Sequence, residues 1–317
     1  MPHILIAGKL HPAGLALLEA AKGVTFIHIE DISEASYQPY LAEADGIVIR
    51  TQPMSAASVA KAIRLQIVSR HGVGYDAVNL PALNARKIPL CIVGDVNSVS
   101  VAEHAMMMIL ACAKQVIRSD AAVRHGPWGW RNNLEQGEVS GKRLLIIGYG
   151  RIGRHLAKMA QAFGMRIAAH DPYLAAQGWP AGEVTSAADL ASGLAEADFV
   201  SVHIPKAEGA LIGAAEIALM KQGAIIINTA RGGIIDEVAL AQALRSGHIA
   251  GAGIDVFDAE PPAADHPLLA FDQVILTPHI AGLTREAAQR MAVASVQNVL
   301  DHFAGQLDPS LIVNKDF

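Results

Sequence analysis

The segment from Gly148 to Gly153 has the pattern Gly-x-Gly-x-x-Gly, and the residues on both sides of it fit one structure. The apolar run 143–147 predicts a buried strand, and the periodicity of 155–163 predicts a helix. In such a turn Gly148 permits a tight bend, Gly150 lets the backbone approach a pyrophosphate, and Gly153 lets helix and strand pack closely. The N–H groups at the helix N-terminus attract phosphate. The pattern therefore predicts a dinucleotide-binding unit.

An acidic residue stands at the end of the next predicted strand. That strand is 166–170, and Asp171 follows it directly. A carboxylate at this point accepts hydrogen bonds from the adenine ribose hydroxyls and repels a 2′-phosphate. The combination predicts NAD rather than NADP as cofactor. The alternative interpretation is a glycine turn followed by a surface aspartate that binds nothing.

Composition limits the class of protein. Apolar residues make up 52% of the 317 residues and charged residues 17%, which indicates large buried cores and argues against extended disorder. The net charge of −5, without a basic stripe, argues against nucleic acid or an anionic membrane as partner. Cys91 and Cys112 are the two cysteines, both in apolar surroundings, so we expect reduced core residues and neither a disulfide framework nor a metal site.

The apolar segments do not predict export or membrane insertion. The N-terminal residues lack the basic and long apolar regions of a secretory signal. The most apolar segment, 105–113, is too short to span a bilayer and predicts a helix buried between domains or subunits. We therefore expect a cytoplasmic protein.

Strand-like and helix-like segments alternate along the whole chain, which predicts α/β domains with parallel sheets. Before residue 97 we expect strands at 4–7, 24–28, 46–50, 67–70 and 90–93. After it we expect a long helix over 101–124, then six strands near 143–147, 166–170, 198–202, 224–228, 250–255 and 273–276. A closing helix is expected over 285–303. This order predicts two Rossmann-like, doubly wound parallel-sheet domains. The NAD-binding domain, 98–283, is inserted into a split flavodoxin-like substrate domain formed by 1–97 and 284–317.

Three neighbouring segments of the nucleotide unit end in polar side chains. The apolar strand 225–228 leads to Arg231, the strand near 253 leads to Glu260, and the strand 274–276 leads to His279. Ligands of open α/β sheets bind at the carboxyl ends of the strands, so these three side chains are expected at one edge.

These residue types suit hydride transfer to a 2-oxo acid. A guanidinium holds a carboxylate through two parallel hydrogen bonds, which favours Arg231 as the substrate-binding group. It also polarises the adjacent carbonyl. A developing alkoxide needs a reversible proton donor, which favours His279, and a carboxylate beside the imidazole orients it, which favours Glu260. Taken singly, each of the three is equally compatible with an ordinary packed or solvated side chain.

With these motifs in place, the sequence resembles the D-isomer-specific 2-hydroxyacid dehydrogenases over essentially its whole length, and most closely the phosphoglycerate dehydrogenase branch. The matching segments are 148–153 with Asp171, 228–232, 255–261 and 277–279. The resemblance implies an NAD-dependent enzyme that interconverts a D-2-hydroxy acid and its 2-oxo acid. It also implies that Arg231, Glu260 and His279 form the catalytic trio, and that the protein is a homodimer formed through the nucleotide domains.

Further site residues are implied by the same resemblance. Asp255 would contact the nicotinamide carboxamide, and the backbone N–H groups of 71–74 would bind the substrate carboxylate. The implied cofactor-binding residues are Gly148, Gly150, Arg151, Ile152, Gly153, Asp171, His203, Ile204, Pro205, Thr229, Ala230, Arg231, Asp255, His279 and Gly282. The implied substrate-binding residues are Arg50, His71, Gly72, Val73, Gly74, Arg231 and His279.

The substrate itself stays open at this stage. Arg50 matches a position at which phosphoglycerate dehydrogenases carry a phosphate-binding arginine, but an arginine after a strand is common. Glyoxylate or hydroxypyruvate reduction is the alternative. Because the sequence ends soon after the closing helix, we expect the short form without a serine-binding regulatory domain. An alternative of another class is an NADH-sensing corepressor that binds the cofactor without turnover.

Overall fold

The computed structural model describes residues 1–182, 184–206 and 208–315. They form two compact units, one of Met1–Asn97 with the residues from Leu283 onward, the other of Ser98–Gly282. Each unit has its own parallel sheet, of five strands in the first and seven in the second. The predicted fold class, two doubly wound α/β domains, is confirmed.

The elements alternate as the sequence pattern indicates. The strands are β1 His3–Ala7, β2 Thr25–Ile29, β3 Gly46–Ile49, β4 Ile67–Arg70, β5 Leu90–Cys91, β6 Arg143–Ile147, β7 Arg166–His170, β8 Thr185–Ser186, β9 Phe199–Val202, β10 Ala224–Asn228, β11 Ile249–Ile254 and β12 Val274–Leu276. The helices are α1 Pro12–Ala20, α2 Glu34–Tyr37, α3 Ala56–Lys61, α4 Leu80–Ala85, α5 Ser98–Ala113, α6 Val116–Arg124, α7 Arg151–Ala162, α8 Pro172–Gln177, α9 Leu190–Glu196, α10 Ala214–Leu219, α11 Glu237–Ser246 and α12 Arg285–Ala304. Short 3₁₀ helices lie at Gln38–Tyr40, Trp128–Asn133, Pro267–Ala270 and Pro309–Leu311.

The first unit has the strand order β2-β1-β3-β4-β5, which is the flavodoxin order. Apolar side chains cover both faces of the sheet, and α12 packs with α1 on one of them. The strand order reverses between β1 and β3. Gly8 follows β1 and Arg50 follows β3, so both residues lie at the position where open α/β sheets bind ligands.

The second unit has the order β12-β11-β10-β9-β6-β7-β8, with its reversal between β6 and β9. The expected six strands are present, and a seventh, β8, extends the edge beyond β7. β8 has two residues, Thr185 and Ser186, both exposed and polar, so no apolar run marks it in the sequence. The glycine turn follows β6 and therefore lies at the reversal.

The prediction of a single long helix over 101–124 is wrong. The chain forms α5 and α6, which are bent by 57° relative to each other, and Gln115 between them has left-handed backbone angles. The side chain of Gln115 donates to the carbonyl of Glu135, and its backbone carbonyl accepts from Ser119. Neither glycine nor proline marks the break, so the apolar pattern alone predicts continuity.

No single helix among the described residues has the length and apolar composition needed to cross a bilayer; α5 and α6 meet that test only as a bent pair. Helix α5 is mostly buried, and its residues Met108 and Ile109 lie in the core of the second unit. Cys91 and Cys112 are free and buried, and burial raises the pKa of both thiols to about 12.

Candidate active site

The three glycines of the turn after β6 differ in what a side chain would meet at each position. Gly148 has φ of 93°, and a Cβ there would lie 2.5 Å from the carbonyl oxygen of His203 at the end of β9. A Cβ on Gly153 would overlap the carbonyl of Gly148. Around Gly150, in contrast, a Cβ would meet nothing within 4 Å. The turn is thus tightly packed against the protein at two glycines and open at the one that would face a pyrophosphate.

The groups around this turn fit a dinucleotide. Helix α7 begins after Gly150 without a side-chain cap on its N-terminal N–H groups. The carboxylate of Asp171 accepts from the backbone N–H of Tyr149 at 2.9 Å and from that of Leu174 at 3.1 Å. This places a partly exposed carboxylate against the turn, where it retains lone pairs for ribose hydroxyls.

Two buried polar atoms beside the turn have no partner in the described part of the chain. They are Nδ1 of His203 and Oγ1 of Thr229, at the ends of the adjacent strands β9 and β10. Nε2 of His203 bonds the hydroxyl of Ser201 at 2.8 Å, and burial lowers the pKa of His203 to about 3, so its ring is neutral. Buried polar atoms without partners are rare in proteins, and a polar ligand at these strand ends would satisfy both.

The strands that carry the predicted trio are neighbours in the sheet. Asn228 of β10 pairs with Ile254 of β11, which pairs with Leu276 of β12. All three strands run parallel and end at the same level, so the segments that follow them emerge at one edge. Arg231 follows β10, and His279 follows β12.

The turn after β10 is held by its own residues and by the next loop. The buried side chain of Asn228 accepts from the N–H of Ala230 at 3.0 Å and donates to the carbonyl of Arg231 at 2.9 Å. Nη1 of Arg231 donates to the carbonyl of Ala230 at 2.7 Å. At Gly232 a Cβ would overlap the carbonyl of Phe257, so the two loops pack backbone against backbone. This contact brings the Arg231 turn against the loop that carries Glu260.

His279 and Glu260 form a direct pair. Nδ1 of His279 lies 2.8 Å from Oε2 of Glu260, and Oε1 of Glu260 accepts from the N–H of Phe257 at 3.1 Å. The His279 side chain is 53% exposed, and its Nε2 has no protein partner within the described residues. A carboxylate on Nδ1 fixes the ring orientation and leaves Nε2 toward solvent, the arrangement that a reversible proton donor needs.

Asp255 lies behind this pair and is fully buried. Its carboxylate accepts from Thr277 Oγ1 at 2.5 Å and from the backbone N–H groups of Ile280 and Ala281, both at 2.9 Å. These bonds hold the loop after β12. The contact between Asp255 and a nicotinamide carboxamide stays a prediction, since the carboxylate already accepts hydrogen bonds from Thr277, Ile280 and Ala281.

In the first unit, a cationic cluster lies at the carboxyl ends of β3 and β4. Nε of Arg50 and both ring nitrogens of His71 are buried and have no hydrogen-bond partner among the described residues. Burial is the main cause that lowers the pKa of His71 to about 4, and the positive charges of Arg50 and Arg70 lower it further. A concentration of positive charge with unpaired donors is suited to an anion.

In the loop 71–74, which is expected to bind a carboxylate through its N–H groups, two of these groups already donate to backbone carbonyls. The N–H of His71 donates to Ile49, and that of Gly72 donates to Arg70, each at 2.8 Å. Within the described chain, the N–H groups of Val73 and Gly74 have no acceptor. The prediction for 71–74 therefore narrows to the N–H groups of its last two residues.

The sequence interpretation gave no role to several residues that hold the site together. Gly232 and Asn228 shape the Arg231 turn, and Thr277 links Asp255 to His104 on α5. Gly232 could have been suspected from its position beside a second glycine, whereas the link from residue 104 to residue 277 has no sequence signal. Among the described residues, no group of three or more His, Cys, Asp or Glu side chains is arranged to hold a metal ion.

Residues 106–281 match the family model described as D-isomer specific 2-hydroxyacid dehydrogenase, NAD binding domain. Over 98% of its length the chain is 39% identical to the D-3-phosphoglycerate dehydrogenase of Mycobacterium leprae, of which it covers 59%. Over 85% of its length it is 37% identical to the hydroxypyruvate reductase of Thermotoga maritima, of which it covers 88%. The chain thus spans about three fifths of the phosphoglycerate dehydrogenase and most of the reductase.

A solved structure shares the same architecture. The D-lactate dehydrogenase of Aquifex aeolicus, complexed with NAD and lactic acid, superposes with a TM-score of 0.83 at 27% identity. The comparison covers 96% of this chain and 96% of the other. Both units therefore have counterparts in that protein.

Proposed function

The chain belongs to the D-isomer-specific 2-hydroxyacid dehydrogenase family, and we propose that it transfers a hydride between NAD and a small D-2-hydroxy acid or its 2-oxo acid. The observation that carries the proposal is the His279–Glu260 pair at 2.8 Å on a strand end of the NAD-binding unit. Its imidazole presents Nε2 to solvent at the same sheet edge as the Arg231 turn.

A bound nicotinamide supplies the hydride in the reductive direction and accepts it in the oxidative direction. Arg231 binds the substrate carboxylate and polarises the neighbouring carbonyl through its guanidinium. His279 donates the Nε2 proton to the oxygen that becomes the hydroxyl, and it removes that proton in the reverse reaction. Glu260 accepts the Nδ1 hydrogen bond and holds the ring in the orientation that presents Nε2 to the substrate.

The cofactor is held by the residues around the glycine turn. Helix α7 directs its uncapped N–H groups at the pyrophosphate, and Asp171 accepts from the adenine ribose. We expect Asp171→Asn, which retains an oxygen for the Leu174 N–H, and Asp171→Ala to narrow the preference for NAD over NADP. The measurement is the ratio of kcat/KM with NADH to that with NADPH. An unchanged ratio in both variants would assign the selection to another group.

For the substrate we propose 3-phosphohydroxypyruvate and its reduced form, 3-phosphoglycerate, on the strength of the cationic cluster in the first unit. Arg50 and His71 carry buried nitrogens without protein partners, and Arg70 adds a further positive charge. A phosphate dianion would satisfy such donors better than a hydroxymethyl group does.

Reduction of hydroxypyruvate or glyoxylate is the second candidate. It is supported by similarity, because the chain is 37% identical to the hydroxypyruvate reductase of Thermotoga maritima over 85% of its length. In that case Arg50 has a structural role and the substrate contacts are confined to its carboxylate and carbonyl.

NADH oxidation with 3-phosphohydroxypyruvate and with hydroxypyruvate, compared by kcat/KM on one preparation, separates the candidates. If the phosphorylated acid is preferred, Arg50→Gln removes that preference, while Arg50→Lys retains part of it because it keeps the charge without the planar fork. Equal or reversed preference in the unmodified protein supports the reductase. Tight NADH binding without reduction of any 2-oxo acid would contradict both and favour a sensing role.

We also propose a homodimer formed through the NAD-binding unit. Helix α6 has no buried residue among those described, and Ile117 and Val123 on it are exposed, as are Trp128 and Leu134 beyond it. Exposed apolar side chains concentrated in one segment are typical of an interface. Two copies of the chain would shield each other's segments.

A further inference from the structure

A chain of hydrogen bonds runs from helix α5 to the loop that carries His279. Nε2 of His104 lies 3.0 Å from Oγ1 of Thr277, which lies 2.5 Å from Oδ1 of Asp255. The His104 side chain is 14% exposed and that of Asp255 is 1% exposed. This series of hydrogen bonds is therefore shielded from water over most of its length.

The direction of each bond follows from the groups involved. A carboxylate only accepts, so the Thr277 hydroxyl donates its proton to Asp255. The oxygen of Thr277 then has only lone pairs for His104, and Nε2 of His104 must be the donor. Burial lowers the pKa of His104, although the charge of Asp255 acts in the opposite direction, and this favours a neutral ring. The hydrogen bond to Thr277 places the proton of that ring on Nε2.

Asp255, at the end of this series of hydrogen bonds, fixes the backbone around His279. The N–H of His279 donates to the backbone carbonyl of Asp255 at 2.8 Å, and the next two N–H groups donate to the Asp255 carboxylate. His279 itself has φ of 53°, a left-handed conformation that costs a non-glycine residue about 1 kcal/mol or more. Three bonds to one aspartate offset that cost and determine where the imidazole points.

We propose that His104 is a positioning residue for His279. By donating to Thr277 it orients the hydroxyl toward Asp255, and Asp255 in turn holds the left-handed loop that keeps Nδ1 of His279 on Glu260. The inference rests on the proposed function of His279, but the geometry that it describes exists without turnover. Among the described residues His104 forms hydrogen-bond or ion-pair contacts with Thr277 and Asp255 and with neither Glu260 nor His279, so we infer that its effect passes through Thr277 and Asp255.

Paired substitutions separate the hydrogen bond from simple packing. His104→Leu replaces the imidazole by an apolar side chain of similar bulk and so removes the Nε2–H donor. His104→Gln can place an amide N–H close to the position of Nε2. We expect His104→Leu to lower kcat by about 10- to 100-fold with little change in the KM for NADH. We expect His104→Gln to recover to within about threefold of the unmodified protein. The control is His3→Gln, at a partly exposed histidine of β1 in the first unit.

Substitutions at Thr277, the partner of His104 in this hydrogen bond, provide a test if His104→Leu does not fold. Thr277→Val removes the hydroxyl with little change in shape, and Thr277→Ser keeps it. We expect Thr277→Val to lower kcat about as much as His104→Leu, and the double variant to be no worse than either alone. Additive losses would overturn the proposal, since they would mean that the two residues act separately.

A readout that does not depend on turnover distinguishes this inference from the proposed function. In protein labelled with ¹⁵N-histidine, the ring nitrogen shifts of His279, assigned by their loss in His279→Gln, report its tautomer and its bond to Glu260. They should move in His104→Leu and Thr277→Val, but not in His104→Gln or His3→Gln. If the unmodified protein reduces no 2-oxo acid, the proposed function fails while these shifts still decide the role of His104. Unmoved shifts in both disrupting variants, or a loss that His104→Gln does not rescue, would overturn it.

Discussion

At the scale of single residues, the proposed chemistry depends on which ring nitrogen of His279 faces solvent. Glu260 occupies Nδ1, so Nε2 alone is available to a substrate oxygen. Since Glu260 is itself held by the N–H of Phe257, the pair has little freedom to reverse. The same imidazole without the carboxylate could present either nitrogen to a substrate.

Removing the imidazole should therefore abolish most of the rate. We expect His279→Ala to lower kcat by roughly two to four orders of magnitude, because the developing alkoxide loses its proton donor. NADH affinity, measured by fluorescence titration, should stay close to that of the unmodified protein. Glu260→Gln keeps the shape of the partner and removes its charge, so it should cause a smaller loss. Near-normal turnover of His279→Ala would remove this residue from the mechanism.

At the scale of elements, the site depends on how closely two loops approach each other. Gly232 lies against the Phe257 carbonyl, and this contact sets the Arg231 turn beside the loop of Glu260. A methyl group at residue 232 has no room unless one loop moves. Both loops leave neighbouring parallel strands, so a shift of either changes the spacing between the guanidinium and the acid–base pair.

We expect Gly232→Ala to lower kcat/KM by at least about 10-fold through this displacement. Gly247→Ala is not a suitable control, because its backbone is left-handed. Ala250→Gly, at an exposed position of β11 in the same sheet, tests the effect of a small substitution away from the loops. Steady-state kinetics and thermal unfolding of both variants are the measurement. A fully active Gly232→Ala would mean that the two loops yield without cost.

The elements also show what a sequence of this kind can predict. Buried parallel strands are apolar runs, so every strand except the short exposed β8 could be predicted from the pattern, together with the Arg231, Glu260 and His279 that follow three of the strands. The break at Gln115 could not, because a contact with Glu135 and not a glycine or proline stabilises it. The link from His104 to Thr277 joins distant parts of the chain, and no local pattern encodes such a contact.

At the scale of the whole molecule, buried neutral histidines tie stability to pH. The pKa of His71 falls from 6.5 to about 4 on folding, and that of His203 falls to about 3. The unfolded chain therefore binds protons first as the pH decreases. Stability is present above pH 6.5 and is lost as the pH falls from there toward 4. His71 alone contributes about 3 kcal/mol to this loss, because it is almost fully buried.

Urea unfolding at pH 7 and at pH 4.5 measures this loss directly. We expect the free energy of unfolding of the unmodified protein to fall between the two, and His71→Gln to lose less because it has no proton to take up. His3→Gln, at a partly exposed histidine of the first unit, should behave like the unmodified protein. A pH dependence that is the same in all three proteins would place the acid-sensitive groups elsewhere.

The exposed segment around α6 connects the single chain to its assembly. Ile117 and Val123 have no protein neighbour that buries them, although the rest of the second unit has an extensive apolar core. If two copies pair through this segment, a charge introduced into it must be desolvated and should separate them. We expect Ile117→Asp to shift the sedimenting species from twice the chain mass to the chain mass. Ile63→Asp, at an exposed isoleucine of the first unit, should leave the dimer intact. A monomeric unmodified protein, or a dimer that tolerates Ile117→Asp, would exclude this surface as the interface.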